Sequence, residues 1–275
     1  DGTIASWGYN SFGQLGDNST NHRSSPVAVN ATYGVSALNG KTVKAITAGY
    51  NHSLALCSDG SLTAWGRNSS GQLGDLTTTQ RNVPTSVYGY SALEGKTVIA
   101  LSAGEAHSLV SCADNAVVGW GSYSAGQLGP YSLPIGVPNQ VSAIGSSALA
   151  GKTIVDVTCG SGHSMALCAD GSIVAWGGNG EGQVGVGTTS NVFWPTLVQT
   201  ADVEAGARIT RVFRGAANRH SLAVVCSPPP DSSGPSNGVM NILPSLTLDP
   251  GQLFTAEFSS WTDVSAPLTY TLLID

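Results

Sequence analysis

Four histidines recur at a nearly constant spacing and are the first candidates for chemistry. They are His52, His107, His163 and His220. Imidazoles can ligate zinc, but every ligand must then lie about 2 Å from one ion. Equivalent positions in successive repeats are too far apart for that, so we predict that each histidine forms a hydrogen bond within or between repeats. A ring of metal ligands is the alternative interpretation, and we predict no metal site.

A Gly-Lys-Thr tripeptide, which could indicate a phosphate-binding loop, occurs at 40–42, 95–97 and 151–153. Such a loop needs four residues between its first glycine and the Gly-Lys pair, followed by a helix whose N-terminus receives the phosphate. Here five residues separate the preceding glycine from the pair, and each copy leads into a strand-like segment. We therefore predict turns with solvated lysines, and no cofactor.

Catalytic residues should break a repeat, whereas Asp59 and Asp170 recur with it. No nucleophile with a base and an orienting acid stands out. We therefore predict no catalytic residue and no enzyme activity. The last repeat breaks the pattern with Arg208, Arg211, Arg214 and Arg219. We interpret these arginines as solvated or ion-paired strand residues, the alternative being a contact for an acidic neighbour or a sulfated glycan.

A longer repeat positions these residues. A Trp-Gly pair followed by Gly-Gln-Leu-Gly, or Gly-Gln-Val-Gly in the last copy, occurs four times at intervals of 58, 55 and 56 residues. The tryptophans are Trp7, Trp65, Trp120 and Trp176. Short β-branched runs alternate with glycines, and the Asp-Gly pairs at 59–60 and 170–171 predict two-residue hairpins. The pattern predicts an all-β fold, a β-propeller in which stacked four-stranded blades pack around the tryptophans.

The motif A-G-x-x-H-S-L-A-L-x-x-D-G-x-x-x-A-W-G-x-N-x-x-G-Q-L-G is almost intact from Ala48 to Gly74. It resembles the propeller repeat named after the regulator of chromosome condensation, and the resemblance covers about residues 1–225. The family implies a propeller of usually seven blades, of which this chain supplies about four. Because residues 1–8 match only the last strand of a blade, we expect missing upstream blades; a closed four-blade ring completed by that strand is the alternative.

Residues 226–275 have a different character and predict a second domain. It opens with a Pro-rich junction in which Pro228, Pro229 and Pro230 are candidate hydroxyproline sites. The segments Cys-Ser-Pro-Pro, Leu-Asp-Pro-Gly, Phe-Thr-Ala-Glu-Phe and Trp-Thr-Asp resemble the opening of the receptor-for-egg-jelly modules of polycystin-related surface proteins. That resemblance implies the beginning of an immunoglobulin-like β-sandwich. We assign Cys226 to this domain.

Composition and charge limit the class of partner. Charged residues make up 10 % of the chain and the net charge is -6, which disfavours nucleic-acid binding. No run of eighteen apolar residues occurs, so we predict neither a membrane span nor membrane insertion. The sequons at Asn18, Asn30 and Asn68 are predicted glycosylation sites. The other four cysteines are interpreted as small buried residues: Cys57, Cys112, Cys159 and Cys168.

These observations predict a non-enzymatic extracellular structural or adhesion protein. The resemblances imply a rigid bead in a larger surface or ciliary glycoprotein, similar to the mastigoneme filaments of algae. The expected partners are copies of itself or other subunits of a surface assembly, glycans, or a polycystin-type channel. The alternative is an intracellular propeller-type regulator, such as a guanine-nucleotide exchange factor for a small GTPase.

Overall fold

A computed structural model describes residues 2–130, 135–141, 147–200, 203, 208–213, 215, 218–226, 253–257 and 269–273. The chain divides into two compact units, Asp1–Pro229 and Pro230–Asp275. In the second unit the described backbone is one antiparallel hairpin, β17 (Leu253–Glu257) and β18 (Thr269–Leu273). This hairpin gives no support for the predicted immunoglobulin-like sandwich, and Pro228, Pro229 and Pro230 lie outside the described residues.

The described part of the first unit consists of antiparallel strands in three complete blades and two half-blades. Blade I contains β3 (Val43–Ala48), β4 (His52–Cys57), β5 (Leu62–Gly66) and β6 (Arg81–Ser86). Blade II contains β7 (Val98–Ala103), β8 (His107–Cys112), β9 (Val117–Gly121) and β10 (Asn139–Gln140). Blade III contains β11 (Ile154–Cys159), β12 (His163–Cys168), β13 (Ile173–Gly177) and β14 (Val192–Leu197). The first half-blade is β1 (Ala5–Gly8) with β2 (Arg23–Ala28), and the last is β15 (Arg208–Val212) with β16 (Ala223–Cys226).

Apolar cores lie between neighbouring blades, as the repeat predicts. In the first, Trp120 of blade II packs with Leu54 and Leu73 of blade I. In the next, Trp176 of blade III packs with Leu109 of blade II. Both indoles are fully buried, and an aromatic side chain of this kind buries roughly 150–250 Å². The tryptophans are therefore the main packing elements between blades.

The hairpins at the Asp-Gly pairs contain three residues, not the predicted two. The Cys57 amide donates to the Ser61 carbonyl over 2.9 Å, which leaves residues 58–60 in the loop. Gly60 has a φ of +83°, and Asn115 takes the same left-handed conformation in blade II with a φ of 67°. A three-residue hairpin of this type needs a residue with positive φ at its last position. The Asp-Gly pair therefore indicated the turn correctly but not its length.

A closed four-blade ring would need the two half-blades to form one sheet. In the structure they form two separate sheets, β1-β2 and β15-β16. The number of blades in a complete ring stays a prediction. The four cysteines expected to be small buried residues are indeed buried. Cys226, which the sequence assigned to the second domain, lies at the end of β16 opposite Arg208. Among the described residues, none forms a helix with the length and hydropathy of a membrane span.

Candidate functional site

A hydrogen-bonded relay joins each blade to the next. The Trp120 indole Nε1 donates to the Gln72 carbonyl over 2.9 Å, and the Ser108 hydroxyl donates to the same oxygen over 2.9 Å. Because the Ser108 proton is used in this way, its Oγ accepts from His52 Nε2, 3.0 Å away. Gln72 and His52 belong to blade I, whereas Trp120 and Ser108 belong to blade II. We call this set of four groups the inter-blade relay.

The same relay recurs around the propeller. His107 Nε2 lies 3.1 Å from Ser164 Oγ, and both Ser164 Oγ and Trp176 Nε1 donate to the Gln127 carbonyl over 2.7 and 2.8 Å. His163 Nε2 lies 3.0 Å from Ser221 Oγ. Each of these three histidines contacts the serine of the following blade; the structural role expected of all four, His220 included, stays a prediction.

Burial keeps the relay histidines neutral. Desolvation lowers the pKa of His52 and of His163 to about 4. The pKa of His107 falls to about 3 because of burial and then repulsion from the two neighbouring imidazoles. Among the described residues, the Nδ1 atoms of all three lack a hydrogen-bond partner. Each ring therefore carries its proton on Nε2, where the serine accepts it.

The two glycines of the Gly-Gln-Leu-Gly motif each lie against the next blade, where a side chain would collide. Gly74 has a φ of +71°, and a Cβ atom there would lie 2.8 Å from Trp120 Nε1. Gly71 has a φ of +75°, and its Cβ would lie 2.3 Å from the amide nitrogen of Gly136. Positive φ and close approach both favour glycine. The whole motif therefore serves as the connector between blades.

Ion pairs occupy one face of the propeller, which we call the ion-pair face. Lys41 lies 3.0 Å from Asp59, Lys152 lies 2.6 Å from Asp170, and Lys96 pairs with Asp114. Hydrogen bonds from Ser61 and then Lys41 hold the pKa of Asp59 well below its usual range. The prediction of solvated lysines is thus wrong, because each lysine holds the turn before its inner strand to the hairpin of the same blade.

The opposite face, the histidine face, carries a cluster that breaks the repeat. Tyr9 stacks on His22 with ring centroids 4.8 Å apart and lies 6.4 Å from Phe12. The Arg67 guanidinium carbon lies 5.1 Å from the centre of the Phe12 ring. Tyr9 is 54 % exposed, and Tyr50, on the adjoining loop, is 58 % exposed. We call these five residues the aromatic patch.

A buried asparagine fixes the loop that carries this patch. Asn10 is fully buried, and its Nδ2 donates to Asp17 Oδ1 and to the carbonyls of Ser19 and Asn21. Its own amide donates to His22 Nδ1 over 2.9 Å. Because the loop is held at several points, the tyrosine and imidazole rings are presented in a fixed orientation, which lowers the entropy cost of binding.

Sequence reasoning missed the aromatic patch, although a signal was present. Tyr9 and Arg67 occupy the position after Trp-Gly, and Phe12 the position before Gly-Gln-Leu-Gly. In the other repeats the position after Trp-Gly holds Ser122 or Gly178. The position before Gly-Gln-Leu-Gly holds Ser70, Ala125 or Glu181. Large side chains at positions that otherwise vary among small and polar residues indicate a local role that the repeat does not need.

The sequons differ in their surroundings. Asn68 is 1 % exposed, and its Nδ2 donates to Asp75 Oδ1 over 2.9 Å and to the Thr77 and Thr79 carbonyls. The nitrogen that a glycan would modify is therefore enclosed and already engaged. Asn18 is exposed and Asn30 is half-buried, so glycosylation at these two positions stays a prediction.

The arginines of the last repeat have varied surroundings. Arg208 Nη2 donates to the Ala169 carbonyl over 2.6 Å, and Arg219 lies 3.9 Å from Glu181. Arg211 is exposed, and Arg214 lies outside the described residues. Arg208 thus contacts a backbone carbonyl and Arg219 an acidic side chain, and the interpretation of the four arginines as solvated or ion-paired strand residues stays a prediction.

One known family matches most of this chain. The model of the RCC1-like domain matches residues 1–227. The chain belongs to the RCC1-like domain family. The human probable E3 ubiquitin-protein ligase HERC6 is 33 % identical over 205 residues, which are 73 % of this chain and 19 % of HERC6. The ultraviolet-B receptor UVR8 of Arabidopsis thaliana is 33 % identical over 67 % of this chain and 39 % of UVR8.

Solved structures show the same propeller fold. Human WBSCR16 superimposes with a TM-score of 0.68 at 24 % identity, covering 83 % of this chain and 54 % of WBSCR16. Yeast RCC1 (Prp20), solved bound to Kap60, gives 0.65 at 22 % identity, covering 83 % of this chain and 51 % of Prp20. The RCC1-like chain thus spans about half of these structures, and a much smaller share of HERC6.

The predicted extracellular structural function and cell-surface location are wrong. The relatives are HERC ligases, a photoreceptor and Prp20, which are intracellular regulatory proteins. These comparisons do not show the egg-jelly module or the mastigoneme likeness, and they favour the alternative of an intracellular regulator. Because ligases are among the relatives, the absence of enzyme activity stays a prediction.

Proposed function

We propose that this RCC1-like propeller is the protein-binding part of an intracellular regulatory protein, with the aromatic patch as its contact surface. The residues that obey the repeat serve to join the blades. The observation that carries the proposal is the group of exposed rings and the guanidinium that breaks the repeat on the histidine face.

The chemistry of the patch suits protein recognition. Tyrosine and arginine are enriched among the residues that dominate binding energy at protein interfaces. Arg67 already stacks on Phe12, so little side-chain entropy remains to be lost when a partner covers both. The matched segment is 19 % of HERC6, and we infer that a segment of this kind recruits a partner for chemistry performed elsewhere.

A guanine-nucleotide exchange factor is the second candidate. Prp20 from Saccharomyces cerevisiae has the same fold with a TM-score of 0.61, and its structure is described together with its binding to Gsp1p and histones. The fold alone is shared at 22 % identity. Exchange activity is therefore a proposal to be measured separately from binding.

Binding of the purified chain to immobilised Gsp1p and to histones, by biolayer interferometry, tests the patch. We expect a Tyr9→Ala/Phe12→Ala/Arg67→Ala variant to bind at least ~10-fold more weakly, because it removes an aromatic and arginine anchor. The matched control is Tyr33→Ala/Tyr90→Ala, which removes two exposed rings from the ion-pair face.

Equal losses in both variants, or a loss only in the control, would refute the assignment of the patch. Release of a fluorescent nucleotide from Gsp1p, measured with the same proteins, tests the second candidate. Binding without accelerated release would support a recruiting module, whereas accelerated release that the triple variant abolishes would support an exchange factor.

A further inference from the structure

Arg67 is a cation that the fold holds in place without pairing it. Its Nε donates to the Ser69 hydroxyl over 2.9 Å, and its guanidinium carbon lies 5.1 Å from the centre of the Phe12 ring. The Arg67 side chain is exposed, and among the described residues no carboxylate forms an ion pair with it. Its two terminal nitrogens can therefore donate hydrogen bonds to a partner.

The carboxylates of the two loops that flank this arginine are already engaged. Asp17, in the loop that carries Phe12, lies 2.6 Å from Arg23, and its side chain is 6 % exposed. Asp75, in the loop that follows Arg67, lies 2.8 Å from an arginine of its own blade and is 5 % exposed. Because both acids are enclosed and paired, the charge that these loops leave for a partner is the positive charge of Arg67.

Leu76 breaks the repeat in the same loop and strains the backbone. It has a φ of +64°, and its side chain is 49 % exposed. The equivalent residue of the first half-blade is Asn18, with a φ of +63°. Asparagine takes this left-handed conformation more readily than a bulky apolar residue does. Strained residues cluster at ligand-binding sites, and the strain here presents an apolar side chain at the surface.

A second apolar residue adjoins Leu76 where blades I and II meet. Ile135 is 55 % exposed, and the carbonyl of the following residue, Gly136, accepts a hydrogen bond from the Leu76 amide over 3.1 Å. We call Leu76 and Ile135 the apolar shelf. Asn68, which directly follows Arg67, donates from Nδ2 to the carbonyl of the residue after Leu76 over 3.0 Å. The guanidinium and the shelf are therefore fixed by one loop.

We propose that Arg67 and the apolar shelf bind an acidic peptide segment of a partner protein. A carboxylate of the segment receives hydrogen bonds from the Arg67 Nη atoms, and a neighbouring apolar side chain packs on Leu76. This inference rests on the proposed function, because it assigns a chemistry to the partner of the aromatic patch. A planar guanidinium fits a carboxylate with two parallel hydrogen bonds. The net charge of -6 makes nucleic acid the less suitable occupant.

Fluorescence anisotropy with three short labelled peptides tests the proposal. The first carries Glu-Leu pairs in a Gly-Ser background, the second has Gln in place of Glu, and the third has Lys. We expect the Glu peptide to bind at least ~10-fold more tightly than the Gln peptide, because of the charge-assisted hydrogen bonds to Arg67. Arg67→Gln should remove this preference. Arg219→Gln is the control, since it removes another exposed arginine and should keep the preference.

Equal binding of the Glu and Gln peptides, no binding of either, or tighter binding of a single-stranded oligonucleotide would overturn the proposal. The proposed function is judged separately with Gsp1p and histones. If the triple variant loses those proteins while the Glu peptide shows no preference, the patch is a contact surface and only the acidic chemistry is wrong. If the Glu peptide requires Arg67 while the triple variant still binds those proteins fully, the proposed function fails and this inference stands.

Substitution of the strained leucine distinguishes a binding role from a structural one. Leu76→Asn should weaken binding of the Glu-Leu peptide ~5-fold, because the apolar contact is lost. It should also raise the urea midpoint of unfolding, because asparagine suits the backbone at this position. Asn18→Leu is the matched control, which should lower the midpoint and leave peptide binding unchanged. A lower midpoint and unchanged peptide binding in Leu76→Asn would show that the leucine serves the fold and would refute the shelf.

Discussion

Neutral, buried imidazoles are the residues on which the joints between blades depend. Each imidazole of the relay needs an N–H on Nε2. Protonation of His107 is unfavourable because it is buried and lies between His52 and His163, which repel it when they are charged. The folded-state pKa of each lies below the ordinary 6.5. Between that value and about 4, the unfolded chain therefore binds more protons than the folded chain.

This linkage predicts acid destabilisation. Stability is full above pH 6.5 and falls as the pH drops towards 4, by about 1 kcal/mol per pH unit for each histidine. Urea unfolding measured at several pH values should show this slope. His107→Gln, which keeps an N–H donor but does not titrate, should reduce the slope by about a third. The exposed His22→Gln is the control, and an unchanged slope in His107→Gln would contradict the account.

The loop before the outermost strand is the element that makes the connection. Its Gly-Gln-Leu-Gly sequence places a carbonyl under the next indole, and the closing glycine is needed both for its positive φ and for the room it leaves. Gly40 has nearly the same φ, +69°, but a Cβ there would have no atom within 4 Å. Comparing an alanine substitution at each of the two glycines therefore separates the cost of backbone strain from the cost of steric contact.

We expect Gly40→Ala to lower the free energy of unfolding by about 1–2 kcal/mol, the cost of a left-handed alanine. Gly74→Ala should cost about 1–3 kcal/mol more, because its Cβ would lie 2.8 Å from Trp120 Nε1. Chemical denaturation of both variants checks the difference. Equal losses would mean that the motif glycine is needed for its backbone conformation alone.

At the scale of the whole molecule, blades share their stability with their neighbours. Cores and relays both lie between sheets, so a blade loses part of its contacts when its neighbour is missing. The same arrangement leaves the loops of both faces free to vary, and the aromatic patch lies on one of them.

The repeat allowed much of the fold to be predicted. A constant spacing of Trp and Gly-Gln-Leu-Gly reveals stacked blades, because every copy must bury the same indole. The ion pair of Lys41 with Asp59 was not predictable in the same way, since it depends on two turns that meet only after folding. The aromatic patch was not predictable either, because Tyr9 and Arg67 belong to different repeats and come together only on folding.

Cellular location could not be inferred from composition. Few charges, many glycines and several sequons are typical of surface proteins, but here the glycines meet the needs of turns and blade contacts. The sequon asparagine Asn68 anchors its loop in blade I by the same buried contact that Asn10 makes in the first half-blade. A repeat that requires Asn, Ser and Gly at fixed positions thus produces the composition of a secreted protein for reasons of packing.

The central claim, that side-chain relays couple neighbouring blades, is tested most directly by a double-mutant cycle between His52 of blade I and Ser108 of blade II. We predict a coupling of about 1–2 kcal/mol in the free energy of unfolding, because either substitution leaves the other buried group without its partner. The control cycle pairs His52 with Ser111, on the same strand as Ser108, whose hydroxyl has no partner among the described residues. Additive effects within about 0.5 kcal/mol for His52 and Ser108 would contradict the account.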